Sequence, residues 1–126
     1  MLSPIPRSIL RDTMELYVPT GIDRYQKPVV KTYTIQNVHI QSDSRTHKTA
    51  DNTEVSLTGI IFVDARRSEP ALDYWELQRA AHAAGSVMTC KVTGRNGSVS
   101  GPYTILVVDG LPDDEDNLHH WEIGVV

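Results

Sequence analysis

The chain holds one cysteine, Cys90, so it can form no internal disulfide, and this usage suits a reducing compartment. No stretch approaches the roughly 18 apolar residues that a membrane helix needs, so no membrane partner is expected. The opening residues MLSPIPRSILRD carry two prolines, two arginines and an aspartate. They lack the continuous apolar core of a signal peptide, and synthesis in the cytosol is the expectation. Aromatic residues are scarce, at 6%. Tyr17, Tyr25 and Tyr33 lie near only scattered Arg and Lys, a poor platform for stacking single-stranded bases. There is no G-x-S-x-G and no C-x-x-C. The glycine-rich TGRNGSVSG (Thr93 to Gly101) matches neither the phosphate-cradling loop nor the dinucleotide fingerprint. No enzymatic activity and no cofactor are expected. Cations too are in short supply: 12 Lys and Arg stand against 16 Asp and Glu, a net charge of −4. That argues against tight binding to phosphates, which relies on Lys and Arg. It allows a protein that surrounds DNA, since a neutral or acidic wall lets the duplex slide past.

What is present suits one globular domain of 126 residues, 40% of them hydrophobic. An N-terminal arm, residues 1–11, precedes DTMELYV (Asp12 to Val18), whose Met14, Leu16 and Val18 alternate as on a half-buried strand. Pro19 to Pro28 reads as a loop, and Val29 to Gln41 as one long or two broken strands. Ser42 to Glu54 has no large apolar residue, so it reads as a solvent-facing or partner-contact loop. Val55 to Ala65 contains GIIFV, apolar on both faces, as a central strand would be. A helix is expected over about residues 70–84, with Pro70 near its start, Gly85 near its end, and Leu72 and Trp75 on one face. Strands at Ser86 to Thr93, Tyr103 to Asp109 and Leu118 to Val126 follow, separated by the Asn-Gly turn Gly94 to Ser98 and the acidic loop Gly110 to Asn117. The expected fold is mainly β: a small antiparallel β-barrel or sandwich of about six strands with one inserted α-helix.

Candidate chemistry is thin. On a strand, neighbouring side chains point to opposite faces. His119 should therefore go with Trp121, and His120 with Glu122, so the pair does not converge on one ion and no metal site is expected. The run Asp113 to Asp116 lacks the spaced ligands and central glycine of a calcium loop. Cys90 has no activating neighbour in sequence, and a nucleophile pair with His82 has no support. The adjacent Arg66 and Arg67 could meet phosphate or an acidic partner surface. Trp75, His120 and Glu122 join them as candidate interface residues. His39 and His47 carry no signal of their own.

LHHWEIGVV (Leu118 to Val126) resembles the closing strand of a family of phage and prophage minor capsid proteins. Pro4 to Pro28 looks like the start of that family, Glu54 to Pro70 like its central strand, and Gly101 to Asp109 like its penultimate one. The helix around Asp73 to Ala84 is longer than the family has there. The resemblance implies a head–tail connector protein of the head-closure or stopper type: a small β-barrel forming a homo-oligomeric ring in the virion, from chains that can stay monomeric in isolation until a partner surface nucleates assembly. Such a ring would sit below the portal and adaptor, close the head, support attachment of tail proteins, and let DNA pass without tight binding. Its place would be the head–tail junction, after assembly in the host cytoplasm. By position, Ser42, Asp43, Ser44, Arg45, Thr46, His47, Lys48, Thr49, Asp51, Asn52 and Glu54 would form the channel or partner loop. The alternative is a small oligonucleotide-binding-like β-barrel that binds a ligand.

Overall fold

The computed structural model describes residues 3–6, 8–48 and 54–126. Six strands and one helix follow in the order β1 (Asp12–Ile22), β2 (Pro28–Lys48), β3 (Glu54–Asp64), α1 (Tyr74–Ala83), β4 (Thr89–Thr93), β5 (Val99–Pro112) and β6 (Leu118–Val125). All pairings are antiparallel, in the order β1–β2–β3–β6–β5–β4. Pairing of β4 back to β1 over Thr13–Tyr17 closes the sheet on itself.

Two bent strands make this closure possible. β2 pairs with β1 up to Val38 and with β3 from Val38 onward. Its corner falls at Asn37, with φ 61°, a left-handed conformation that asparagine tolerates better than most residues. The Asn37 amide holds the bend by donating to the Arg67 carbonyl at 2.9 Å. β5 likewise serves β4 through Thr104 and β6 from Ile105. The inward-facing residues meet as one core: Met14, Leu16 and Val18 from β1, Ile35 and Val38 from β2, Ile61 and Val63 from β3, Cys90 and Val92 from β4, Ile123 and Val125 from β6. The alternation read in β1 and β4 is the one that the fold buries.

The elements differ from expectation where hydrogen bonding, not burial, sets the boundary. β1 runs on to Ile22, and the connection to β2 shrinks to Asp23–Lys27. Asp23 makes this turn, its Oδ1 accepting the N–H of Tyr25 and of Lys27 at 2.8 and 2.9 Å. β5 begins at Val99, not Tyr103. The largest correction concerns the segment expected as a loop: Ser42 to Lys48 continues β2 and Glu54 opens β3. A two-stranded ribbon satisfies its backbone across the ladder, so the pairing itself asks for no apolar residues.

α1 begins at Tyr74, four residues later than expected. Glu69 is held instead by β2, exchanging backbone hydrogen bonds with Gln36. Asp73 is the N-cap, its side chain accepting from Trp75 N and Glu76 N. Glu76 completes an Asp-x-x-Glu start, and Leu72 and Leu77, flanking the cap, both pack on the core. Tyr74 and Ala81 are buried, so the inner face is Tyr74, Leu77 and Ala81, and the expected Leu72–Trp75 face is displaced by one residue. Trp75 packs close against Gly110 on β5: a Cβ there would lie 2.7 Å from two atoms of its six-membered ring. Only glycine permits that approach.

Candidate functional site

Three surfaces stand out, each built by a different part of the barrel. The first is the ribbon. β1 leaves β2 at Val38, and β6 leaves β3 at Gly59. From Arg45↔Leu57 to Lys48↔Glu54, β2 and β3 pair only with each other. A bulge between Ser42 and Arg45 re-aims the ribbon as it leaves the barrel. Ser42, Asp43, Ser44, Arg45, Thr46, His47 and Lys48 lie on its first strand, and Glu54 opens the second. Thr49, Asp51 and Asn52 lie outside the described residues.

The second surface is the N-terminal seam. Asp64, at the end of β3, is 1% exposed. Its Oδ2 accepts the N–H of Ile5 at 2.7 Å, and its Oδ1 accepts those of Arg66 and Arg67 at 2.8 and 2.9 Å. Ser68 accepts from Asp64 N and donates to the Asn37 carbonyl, tying the seam to the β2 corner. His119 Nε2 donates to Ser3 O at 2.6 Å, since a carbonyl can only accept. In a neutral ring its Nδ1 is then an acceptor, and His120 Nδ1 donates to it at 2.8 Å. The two rings therefore touch, 5.0 Å apart and nearly perpendicular, which strand alternation alone did not anticipate. They face each other across a hydrogen bond. Among the described residues no group of three His, Cys, Asp or Glu side chains is placed to hold a metal ion. Beyond His120 the outer face continues through Phe62 to His39, with Glu122 Oε2 3.4 Å from His120 Nε2.

The third surface is a groove of about 530 Å³ where α1 begins, lined by Leu72, Asp73, Trp75, Gly110, Pro112, Asp116, Leu118 and Trp121 among others. Trp75 donates its indole N–H to Val108 O at 3.1 Å and sets its ring edge-on to Trp121, 4.7 Å away. The acidic turn beside the groove organises itself as the Asp23 turn does: Asp113 Oδ1 accepts from Glu115 N and Asn117 N. Those backbone bonds, Glu115's first, hold the Asp113 carboxyl below the usual range against the opposing effect of burial, with Arg66 adding to the depression.

The candidate interface residues do not form one patch. Arg66 is exposed in the turn after β3, while Arg67 reaches inward to the Ile5 carbonyl at 3.4 Å. Trp75 belongs to the groove, and His120 and Glu122 lie on the opposite face of β6. Cys90 is wholly buried, which pushes its thiol up to about 12 and keeps it protonated at neutral pH, and His82 is exposed on α1. Sequence reading missed Asp64, although D-A-R-R-S has the form of an aspartate turn accepting from the two and three residues that follow. It also missed the groove, which needs residues 35 and more positions apart. Compared with protein-family models, with curated proteins and with solved structures, the chain matches none.

Proposed function

We propose that this chain is a structural subunit of a phage head–tail connector, assembling as a ring below the portal or adaptor to close the filled head and support tail attachment. The observation that carries the reading is the β2–β3 ribbon. A two-stranded ribbon standing free is marginal in water, and both its outer edges offer unpaired backbone groups. Neighbouring subunits of a ring would cover those edges. The polar sequence suits a water-filled channel, and Arg45 and Lys48 are outnumbered there by Asp43, Asp51 and Glu54. Such a lining lets DNA pass without holding it, because few phosphates could be neutralised.

The test is electron microscopy of particles made with the intact gene, without it, and with residues 45–56 replaced by an Asn-Gly turn. The replacement removes the ribbon and, among the described residues, leaves the buried ones in place, Leu57 included, so the barrel should fold. Heads that leak DNA and carry no tails are expected in both altered preparations. Infectious, DNA-retaining particles without the gene would overturn the reading.

The second reading, an oligonucleotide-binding-like barrel, draws on two cation–aromatic pairs of the β1–β2 hairpin. Arg24 lies over Tyr25 at 4.9 Å and Lys31 over Tyr33 at 5.2 Å. It requires tight, salt-dependent binding of a single-stranded oligonucleotide, lost on Tyr25→Ala and Tyr33→Ala together. On the connector reading, anisotropy of a labelled oligonucleotide stays flat.

A further inference from the structure

Beyond Tyr17, β1 has no partner but β2, so the end of the β1–β2 hairpin projects from the barrel as the ribbon does on the other side. Unlike the ribbon, it is apolar. Ile22 is 69% exposed and Tyr25 68%, and Val29 and Val30 beside them are exposed as well. Interleaved with them stand Arg24, Lys27 and Lys31. The single carboxylate of the tip, Asp23, is engaged by the turn's own backbone N–H groups. The tip thus offers apolar side chains within a cationic surround.

The groove at the start of α1 is its complement. Trp75, Trp121, Leu118, Leu72 and Pro112 give it apolar walls, Asp73 and Asp116 are its charged lining, and no cation lines it. The exposed Asp114 and Glu115 extend the same sign along the turn. One chain cannot join the two surfaces itself. The groove lies at the N-terminus of α1, whereas the base of the tip (Pro19, Ile22, Val30) lies against Ala84, Ser86 and Val87 beyond its C-terminus. A ten-residue helix separates them by about 15 Å.

We infer that the β1–β2 hairpin tip of one copy docks in the tryptophan-walled groove of the next copy. The contact is head-to-tail, so each subunit offers one tip and one groove, and repetition closes a ring or continues as a filament. Apolar burial supplies attraction, and the opposed charges set the register and reject a tip-to-tip encounter. The inference rests on the connector reading for its biological setting, and it names the surfaces by which that ring would form.

The contact is tested on the purified full-length chain by sedimentation velocity over a concentration series at low salt. Wild type should form species beyond the dimer, and assembly should weaken by about tenfold at high salt. Ile22→Asp removes the tip and Leu118→Asp spoils the groove. Each variant alone should stay monomeric, while an equimolar mixture should give a dimer, one sound tip in one sound groove. Both tryptophans of the chain line the groove, so their emission should shift in the mixture and not in either variant alone. Circular dichroism shows that each variant is folded. If Leu118→Asp does not fold, Lys27→Glu, a change at an exposed turn residue, should weaken wild-type assembly about tenfold. A wild type that is monomeric throughout, a mixture that stays monomeric, or either variant assembling like wild type overturns the inference. A monomeric chain combined with leaking, tailless particles when the gene is missing would overturn this contact alone and leave the connector reading standing.

Discussion

Trp121→Ala should lower the unfolding free energy by about 3–5 kcal/mol, the range for deleting a buried tryptophan. The residue is 4% exposed and sits where β6 pairs with Val63 of β3 on one side and Gly110 of β5 on the other. Two aromatic side chains of α1 lean on it, Tyr74 at 5.3 Å and 70°, and Trp75 at 4.7 Å and 77°. Removing the indole therefore takes away both core volume and the seat of the helix. Little nearby can collapse into the space, because Gly110 has no side chain and Trp75 is already anchored to Val108 O. Trp75→Ala should cost only about 1–2 kcal/mol, since that residue is 44% exposed. Urea unfolding of both variants measures the difference. Equal midpoints would mean that the helix is held by its Ala81 and Leu77 contacts and not by the aromatic stack.

Asp64→Ala should cost about 2–4 kcal/mol, because three backbone N–H groups lose a charged acceptor together. Asp64→Asn should cost about half as much: its carbonyl oxygen can still accept from Arg66 and Arg67, while the amide nitrogen cannot accept from Ile5. The two variants should share a second phenotype. Without the Ile5 bond, the hydrogen bonds that tie the described residues before residue 7 to the barrel are His119–Ser3 and the long Arg67–Ile5 one, while Leu10 stays buried behind them. Limited proteolysis should then cut near residue 6 faster than the barrel unfolds. Unchanged protection of the arm in Asp64→Ala would show that the carboxylate serves the β3 turn alone.

Much of the barrel was legible because its strands bury one face. Met14, Leu16 and Val18 alternate, as do Met88, Cys90 and Val92, and a period of two is visible wherever burial selects it. The ribbon was not legible for the same reason. Ser42 to Lys48 is a strand in which no large apolar residue alternates, so its sequence carries the composition of a loop. Helix α1 was read from its alanines and from Gly85, but Pro70 suggested too early a start. What decides that boundary is a pair of backbone bonds between Glu69 and Gln36, residues 33 positions apart. The candidate surfaces suffered most. The groove draws its wall from α1, β5 and β6, and the exposure of Ile22 depends on β4 stopping short of the tip. Neither fact exists in a local window of sequence.

β2 runs unbroken from the apolar tip at Pro28, round the corner at Asn37, to the polar ribbon at Lys48. Its 21 residues have a contour of roughly 70 Å, several times the thickness of a sheet layer. Backbone hydrogen bonds run perpendicular to it, so a pull along the strand loads all the rungs of its ladders together, whereas a sideways pull parts them one at a time. The strand is thus stiff as a strut and weak as a zipper. A shove on the ribbon along its length meets two joints before it reaches the far hairpin, the bulge between Ser42 and Arg45 and the corner at Asn37.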